Sequence, residues 1–212
     1  MRFAKCDLRN NGLKAIIFLN GQPYEGAIDV SDAVVIAADG GYQDCLRREI
    51  TPHYVVGDFD SLGYVPCGAQ QVPVQKDFTD GEMAVNLALS LGATEMDIYG
   101  GGGKREDHFY GNLQLLYAAH KKGVFARMIT NETAMFVCEK GFSLSLPIGT
   151  TLSVAPFGGD LHIHSSKGFA YAADDLAIPL GSTRGISNLT QEKDVGMTFT
   201  KGVAVVFVVH SK

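Results

Sequence analysis

Ala33-Val34-Val35-Ile36-Ala37-Ala38-Asp39-Gly40-Gly41 is the stretch on which the fold turns. Its apolar run is β-branched and lacks polar alternation, the pattern of a strand buried on both faces. The glycine pair behind it permits close backbone approach and a sharp entry into the helically spaced residues 41–48. Outward from there, residues 15–19, 54–56 and 96–99 read as further buried strands, and 80–91 and 107–121 as helices. In the last helix Leu113, Leu116, Tyr117 and His120 recur at three and four residues. Thr79-Asp80-Gly81-Glu82 is a capping box, which places Asp80 in a first helical turn beside the positive dipole end. Such alternation predicts an α/β domain with a mostly parallel sheet covered on both faces.

After Asn131 the period changes to two. Residues 142–146, 151–155, 161–164 and 195–200 alternate, and 203–209 form a more continuous apolar run. Glycine-rich turns such as Pro156-Phe157-Gly158-Gly159 are expected to separate them. The C-terminal part therefore reads as all-β, a small sandwich or barrel. Domains are expected at 1–131 and 132–212, with the boundary near residues 130–133.

The 212 residues carry a formal net charge of −5, which supplies no basic surplus for a nucleic-acid binder. A nucleotide substrate remains compatible, because carboxylates with a divalent ion invert the local field. Cys6, Cys45, Cys67 and Cys138 are scattered without a C-x-x-C pair, as suits a reducing compartment. The apolar run 15–19 is too short for a signal-peptide core or a membrane span, so a cytoplasmic protein is expected.

Acidic or glycine-rich clusters follow the expected strand ends, the rim where ligands bind in open α/β sheets. Ala38-Asp39-Gly40-Gly41 is by itself a tight turn with an N-capping aspartate, or a site of close ligand approach. In Gly57-Asp58-Phe59-Asp60-Ser61 an extended chain puts Asp58 and Asp60 on one side, about 6–7 Å apart. Carboxylates that close repel unless a cation sits between them, and magnesium shared with phosphates is the natural occupant. The alternative is an Asx-type turn. Asp77 and Asp80 bracket a helix start, where Asp80 could add a third carboxylate, although capping accounts for Thr79 and Glu82. In Gly100 to His108 the glycine run offers backbone N–H groups to an anion and Arg105 adds a planar guanidinium. The alternative there is a flexible loop before a helix capped by Asp107. Neither a Walker A loop nor a dinucleotide fingerprint is present. Together the clusters form a constellation for phosphoryl transfer.

With these motifs the sequence resembles the thiamine pyrophosphokinases. Ala-Asp-Gly-Gly at 38–41, Gly-Asp-Phe-Asp-Ser at 57–61, Asp-x-Thr-Asp-x-Glu at 77–82, Gly-Gly-x-Arg-x-Asp-His at 102–108 and Gly-Ile-Ser-Asn at 185–188 follow the family pattern in order, from about residue 14 to the C-terminus. The resemblance implies an α/β domain with a C-terminal β-sandwich, acting as a homodimer. It implies transfer of the terminal pyrophosphate of ATP to the hydroxyl of thiamine, releasing AMP. Asp58, Asp60 and Asp80 would ligate Mg2+. Asp39, Asp77, Arg105 and Asp107 would surround the triphosphate and ion, with Gly40, Thr79, Gly102 and Gly103 in the nucleotide site. Ser187 and Asn188 would contact thiamine at the dimer interface. The chain departs from the pattern in having no Trp: Leu189, Thr190 and Gln191 follow the Ser-Asn pair where some relatives place a stacking aromatic. Lys76 stands where some relatives have Gln.

The rivals weighed are a haloacid-dehalogenase-type phosphatase with Asp58 as nucleophile, a pyrophosphokinase for a pterin alcohol, and a non-catalytic nucleotide-binding module. The first lacks a convincing downstream lysine and paired-aspartate motif, since Asp174-Asp175 lies in the all-β half. His162 and His164 share a strand face with no third ligand evident and read as a solvated face.

Overall fold

The computed structural model describes residues 12–71 and 78–210. Within them, residues 12–131 form one compact unit and 132–210 another.

The first unit holds β1 (Leu13–Phe18), β2 (Ala33–Ala38), α1 (Gly41–Arg47), β3 (Tyr54–Gly57), β4 (Gln70–Gln71), α2 (Asp80–Ser90), β5 (Ala93–Tyr99), α3 (Glu106–Lys121) and β6 (Phe125–Ile129). The sheet order is β6-β5-β1-β2-β3-β4, and every neighbouring pair is parallel. The expected strands and helices appear within a few residues; β4 and β6 are additions that the apolar pattern did not announce. In β6 buried and half-buried residues alternate, which hides it from a search for continuous apolar runs.

Ile16 and Phe18 pack on one face with Val35, Ala37, Val55, Phe59, Tyr99 and Cys45 of α1. Ile17, Ile36 and Ile98 are as deeply buried on alternate residues and face the other side. The crossover from β2 to β3 and the one from β5 to β6 run in opposite directions along the sheet. With both right-handed, α1 and α3 cover opposite faces. The two halves thus diverge at β1, and a crevice opens at the carboxyl ends of the strands there.

The second unit contains β7 (Thr133–Cys138), β8 (Gly141–Ser145), β9 (Thr151–Lys167), β10 (Leu176–Ile178), β11 (Asn188–Leu189) and β12 (Asp194–Val209). Its ladders are antiparallel: β12 pairs with β7, β8 and β9, and β9 also pairs with β10 and β11. One expectation is corrected here. Pro156-Phe157-Gly158-Gly159 is no turn between strands but lies inside β9, and residues 195–200 and 203–209 belong to the one strand β12. The two long strands pair with each other almost throughout, with register shifts between Thr198 and Val203. Gly158 and Gly202, both at positive φ, sit in this irregular stretch. The glycines therefore mark bulges where paired strands bend rather than points where they end.

Burial pushes the Cys45 thiol up to about 12, whereas Cys67 is exposed. In native protein a maleimide should label Cys67 promptly and Cys45 only on unfolding; equal rates would contradict the packing of α1. Because the folded thiol holds its proton more tightly, its contribution to stability is present below its ordinary 9.0 and lost towards 12. Phe59 closes the same core from the end of β3 and is 3% exposed. Phe59→Ala should lower stability by about 3–5 kcal/mol in denaturant titration.

Candidate active site

Loops leaving β1, β2, β3 and β5 and the start of α2 enclose a cavity of about 620 Å³ at the carboxyl edge of the parallel sheet. Backbone bonds draw these loops together. Leu19 N–H donates to the Tyr99 carbonyl at 2.8 Å, Gln22 N–H to Gly102 at 2.7 Å and Asp39 N–H to Val56 at 2.8 Å. The glycine run is needed for this contact. A Cβ on Gly100 would lie 2.2 Å from the Leu19 carbonyl oxygen, and its φ of +70° is already left-handed. Asn112 of α3 fixes the loop further, donating to the Gly101 carbonyl at 2.8 Å.

Asp39, Asp58 and Asp60 each place a carboxylate oxygen within 4.8 Å of the other two. The chain between the last pair is not extended, which corrects that expectation: Phe59 stands at φ +62° and turns its ring into the core. The Asp60 N–H donates to Asp58 at 3.3 Å, so the Asx-type turn and the convergence of the acids occur together. Left-handed backbone is costly for residues other than glycine, and Asp39 also adopts it at φ +46°.

Asp39 is 6% exposed. Its Oδ2 accepts from the Ser61 hydroxyl at 2.5 Å and from the Asn20 amide at 3.3 Å. Among the described residues its buried Oδ1 has no hydrogen-bond partner. Leaving a buried carboxylate oxygen unsatisfied costs roughly 1–3 kcal/mol or more, and a cation among these acids would remove that cost. The donor set is all oxygen, as magnesium requires.

Asp80 lines the same cavity from the first turn of α2. Thr79 is the N-cap of that helix, its hydroxyl accepting from Glu82 N–H at 3.2 Å. Gly102, Lys104, Arg105 and His108 also line the cavity, whereas Gly40, Gly103 and Asp107 are not among its lining residues. Asp107 does not cap α3, as the simplest reading of its loop held; Arg105 occupies that position and makes no side-chain cap bond. Asp107 instead forks with Arg105 at 2.6 and 3.1 Å, both largely exposed. The Arg105 guanidinium holds the Asp107 carboxyl below its usual range. Asp77 and Lys76 lie outside the described residues.

Asn20 escaped the motif reading although it lines the cavity and joins Asp39 to Ser61. Its signal was its place just after the first apolar run, the same logic that flagged the ends of β2, β3 and β5.

Ser187 and Asn188 belong to the second unit and line a separate cavity of about 390 Å³ with Tyr171, Arg184 and Met197. Ser187 is left-handed at φ +64°, and its N–H donates to the Ser153 hydroxyl at 2.9 Å. The Asn188 amide is engaged with the Tyr171 main chain, accepting from its N–H at 3.1 Å and donating to its carbonyl at 2.7 Å. Tyr171 is itself 66% exposed. On the face of β9 read as solvated, His164 is exposed and His162 half-buried, with Nε2 meeting Asp175 at 3.2 Å and Nδ1 meeting Thr200 at 2.7 Å.

Comparison with known proteins follows the two units. Residues 29–127 match the family model described as thiamin pyrophosphokinase, catalytic domain, and residues 141–204 that described as thiamin pyrophosphokinase, vitamin B1 binding domain. The thiamine pyrophosphokinase of Bacillus subtilis (strain 168) is 31% identical over 180 residues, which cover 80% of this chain and 84% of the relative. A crystal structure of thiamine pyrophosphokinase from Bacillus subtilis superposes with a TM-score of 0.84 at 27% identity, covering 94% of this chain and 100% of that one. The thiamin pyrophosphokinase of Candida albicans, at 15% identity, shares the fold with a TM-score of 0.76 over 94% of this chain and 89% of its own. With a family model on each unit and a relative aligned along most of the sequence, the chain belongs to the thiamin pyrophosphokinase family.

Proposed function

We propose that the chain transfers the terminal pyrophosphate of ATP to the hydroxyl of thiamine, and that the cleft at the ends of β1, β2, β3 and β5 holds the nucleotide with Mg2+. The observation that carries the metal reading is the buried oxygen of Asp39, without a partner among the described residues, beside the carboxylates of Asp58 and Asp60. These acids would hold the ion, with Asp80 facing the same space from α2. A bound Mg2+ supplies neutralisation of phosphate charge that otherwise repels an attacking oxygen.

The residues of the chain position the rest. The loop at Gly100–Gly102 brings backbone close to the phosphates, and Arg105, braced by Asp107, faces the cleft. The thiamine hydroxyl oxygen forms a bond to the β-phosphorus as the bond from that phosphorus to the α-phosphate oxygen breaks. AMP leaves with the electron pair, and the hydroxyl proton passes to a base. Asp77 belongs with this nucleotide set by its motif.

On the acceptor side Ser187 and Asn188 serve the thiamine site, and Asn188 does so by holding Tyr171. That ring takes the part of the aromatic missing after the Ser-Asn pair. The antiparallel second unit, bent at its bulges, is read as a β-sandwich, and the protein as a cytoplasmic homodimer whose activity falls on dilution.

Asp60→Asn should yield a folded protein whose AMP release from ATP and thiamine falls roughly a hundredfold or more. Turnover near wild type would remove Asp60 from the site. Tyr171→Ala should raise KM for thiamine about tenfold, the scale of losing a ring against a cationic heterocycle, with KM for ATP unchanged. An unaltered thiamine KM would exclude the ring from the acceptor site.

A further inference from the structure

Among the described residues two side-chain cations line the nucleotide cleft beside His108, and they differ in the partners they already have. Arg105 is forked onto Asp107 at 2.6 Å, so it already has a carboxylate partner before any ligand arrives. Lys104 has no carboxylate partner among the described residues. Its Nζ donates to the Asn20 side-chain oxygen at 3.0 Å. The Asn20 amide nitrogen in turn donates to Asp39 at 3.3 Å and to the Ser61 hydroxyl at 3.0 Å. Asn20 is neutral, so it aims the ammonium group without cancelling its charge, and the same amide steadies the buried acid.

The cleft also gathers Asp39, Asp58, Asp60 and Asp80. A divalent ion among these acids leaves part of a polyphosphate's charge to be met elsewhere, and a side-chain cation lining the same cleft can meet it. An arginine with a standing ion pair has less to give than a lysine held by an amide. We propose that Lys104, oriented by Asn20, is the principal side-chain cation on the nucleotide's phosphates, with Arg105 and Asp107 acting as a braced pair beside it. This rests on reading the cleft as the nucleotide site. It assigns a substrate-contacting role to the residue between Gly103 and Arg105, and a positioning role to Asn20.

Calorimetric titration of the full chain with ADP and with adenosine, in Mg2+, tests it using Lys104→Gln and Lys104→Arg. ADP affinity should fall roughly ten- to a hundredfold in the glutamine variant, as expected for losing one hydrogen bond to a charged group. Adenosine affinity should stay within about twofold, because the base and sugar do not need the ammonium charge. The arginine variant should recover most of the loss, and melting temperatures should match, since Lys104 is exposed. ADP binding unchanged in Lys104→Gln would overturn the role of the lysine alone. Equal losses of ADP and adenosine would also overturn it, by pointing to general damage to the cleft. Wild-type protein that binds no ADP would sink the reading of the cleft and the lysine with it.

Discussion

Carboxylates repel, and this structure holds three of them together. At the 4.8 Å that bounds the oxygens of Asp39, Asp58 and Asp60, each pair of full charges opposes the other by roughly 1 kcal/mol in water and about 3.5 kcal/mol at an effective dielectric constant near 20. Asp60 is exposed and sits towards the lower figure, whereas Asp39 is buried and sits towards the higher. Folding brings them together nonetheless, through left-handed backbone at Asp39 and Phe59. Strain and like-charge crowding at one sheet edge are sustained because the core beneath over-determines the loops, and a cation among the acids would relieve the crowding.

The sheet supplies that determination. β2 and β3 are neighbours with Ala38 opposite Val56, so the residues that follow each strand emerge side by side. Phe59 anchors the β3 loop in the cluster that also holds Phe18, Ala37 and Tyr99, residues at the carboxyl ends of β1, β2 and β5. A change in the core thus reaches the acids within a few residues. The glycines after β5 allow its loop to lie against the end of β1, which brings Lys104 and Arg105 to the same cavity as the carboxylates.

Much of this arrangement could be read from the sequence because the signals are local. An apolar run without alternation, followed by Asp or Gly, marks both a buried parallel strand and its ligand-facing end, and residues 33–41 and 54–61 carry that signal in full. What escaped depends on pairing between distant segments. Asp39 is grouped with the phosphates by its motif, yet its nearness to Asp58 follows from the order of β2 and β3, which no local pattern encodes. Asn20 carries no motif, and its importance comes from Asp39, Ser61 and Lys104 meeting it in space. In the second unit, Gly158 and Gly202 look the same in sequence whether a strand turns or bulges; only the ladder between β9 and β12 decides.

The central claim is that these acids converge because a divalent cation belongs among them. Electron paramagnetic resonance of Mn2+ titrated into wild-type protein and into Asp39→Asn, with and without a non-hydrolysable ATP analogue, tests it directly. The account predicts Mn2+ binding to wild type that tightens with the nucleotide and weakens at least tenfold when Asp39 loses its charge. Mn2+ binding indifferent to both the nucleotide and the Asp39 carboxylate would contradict it.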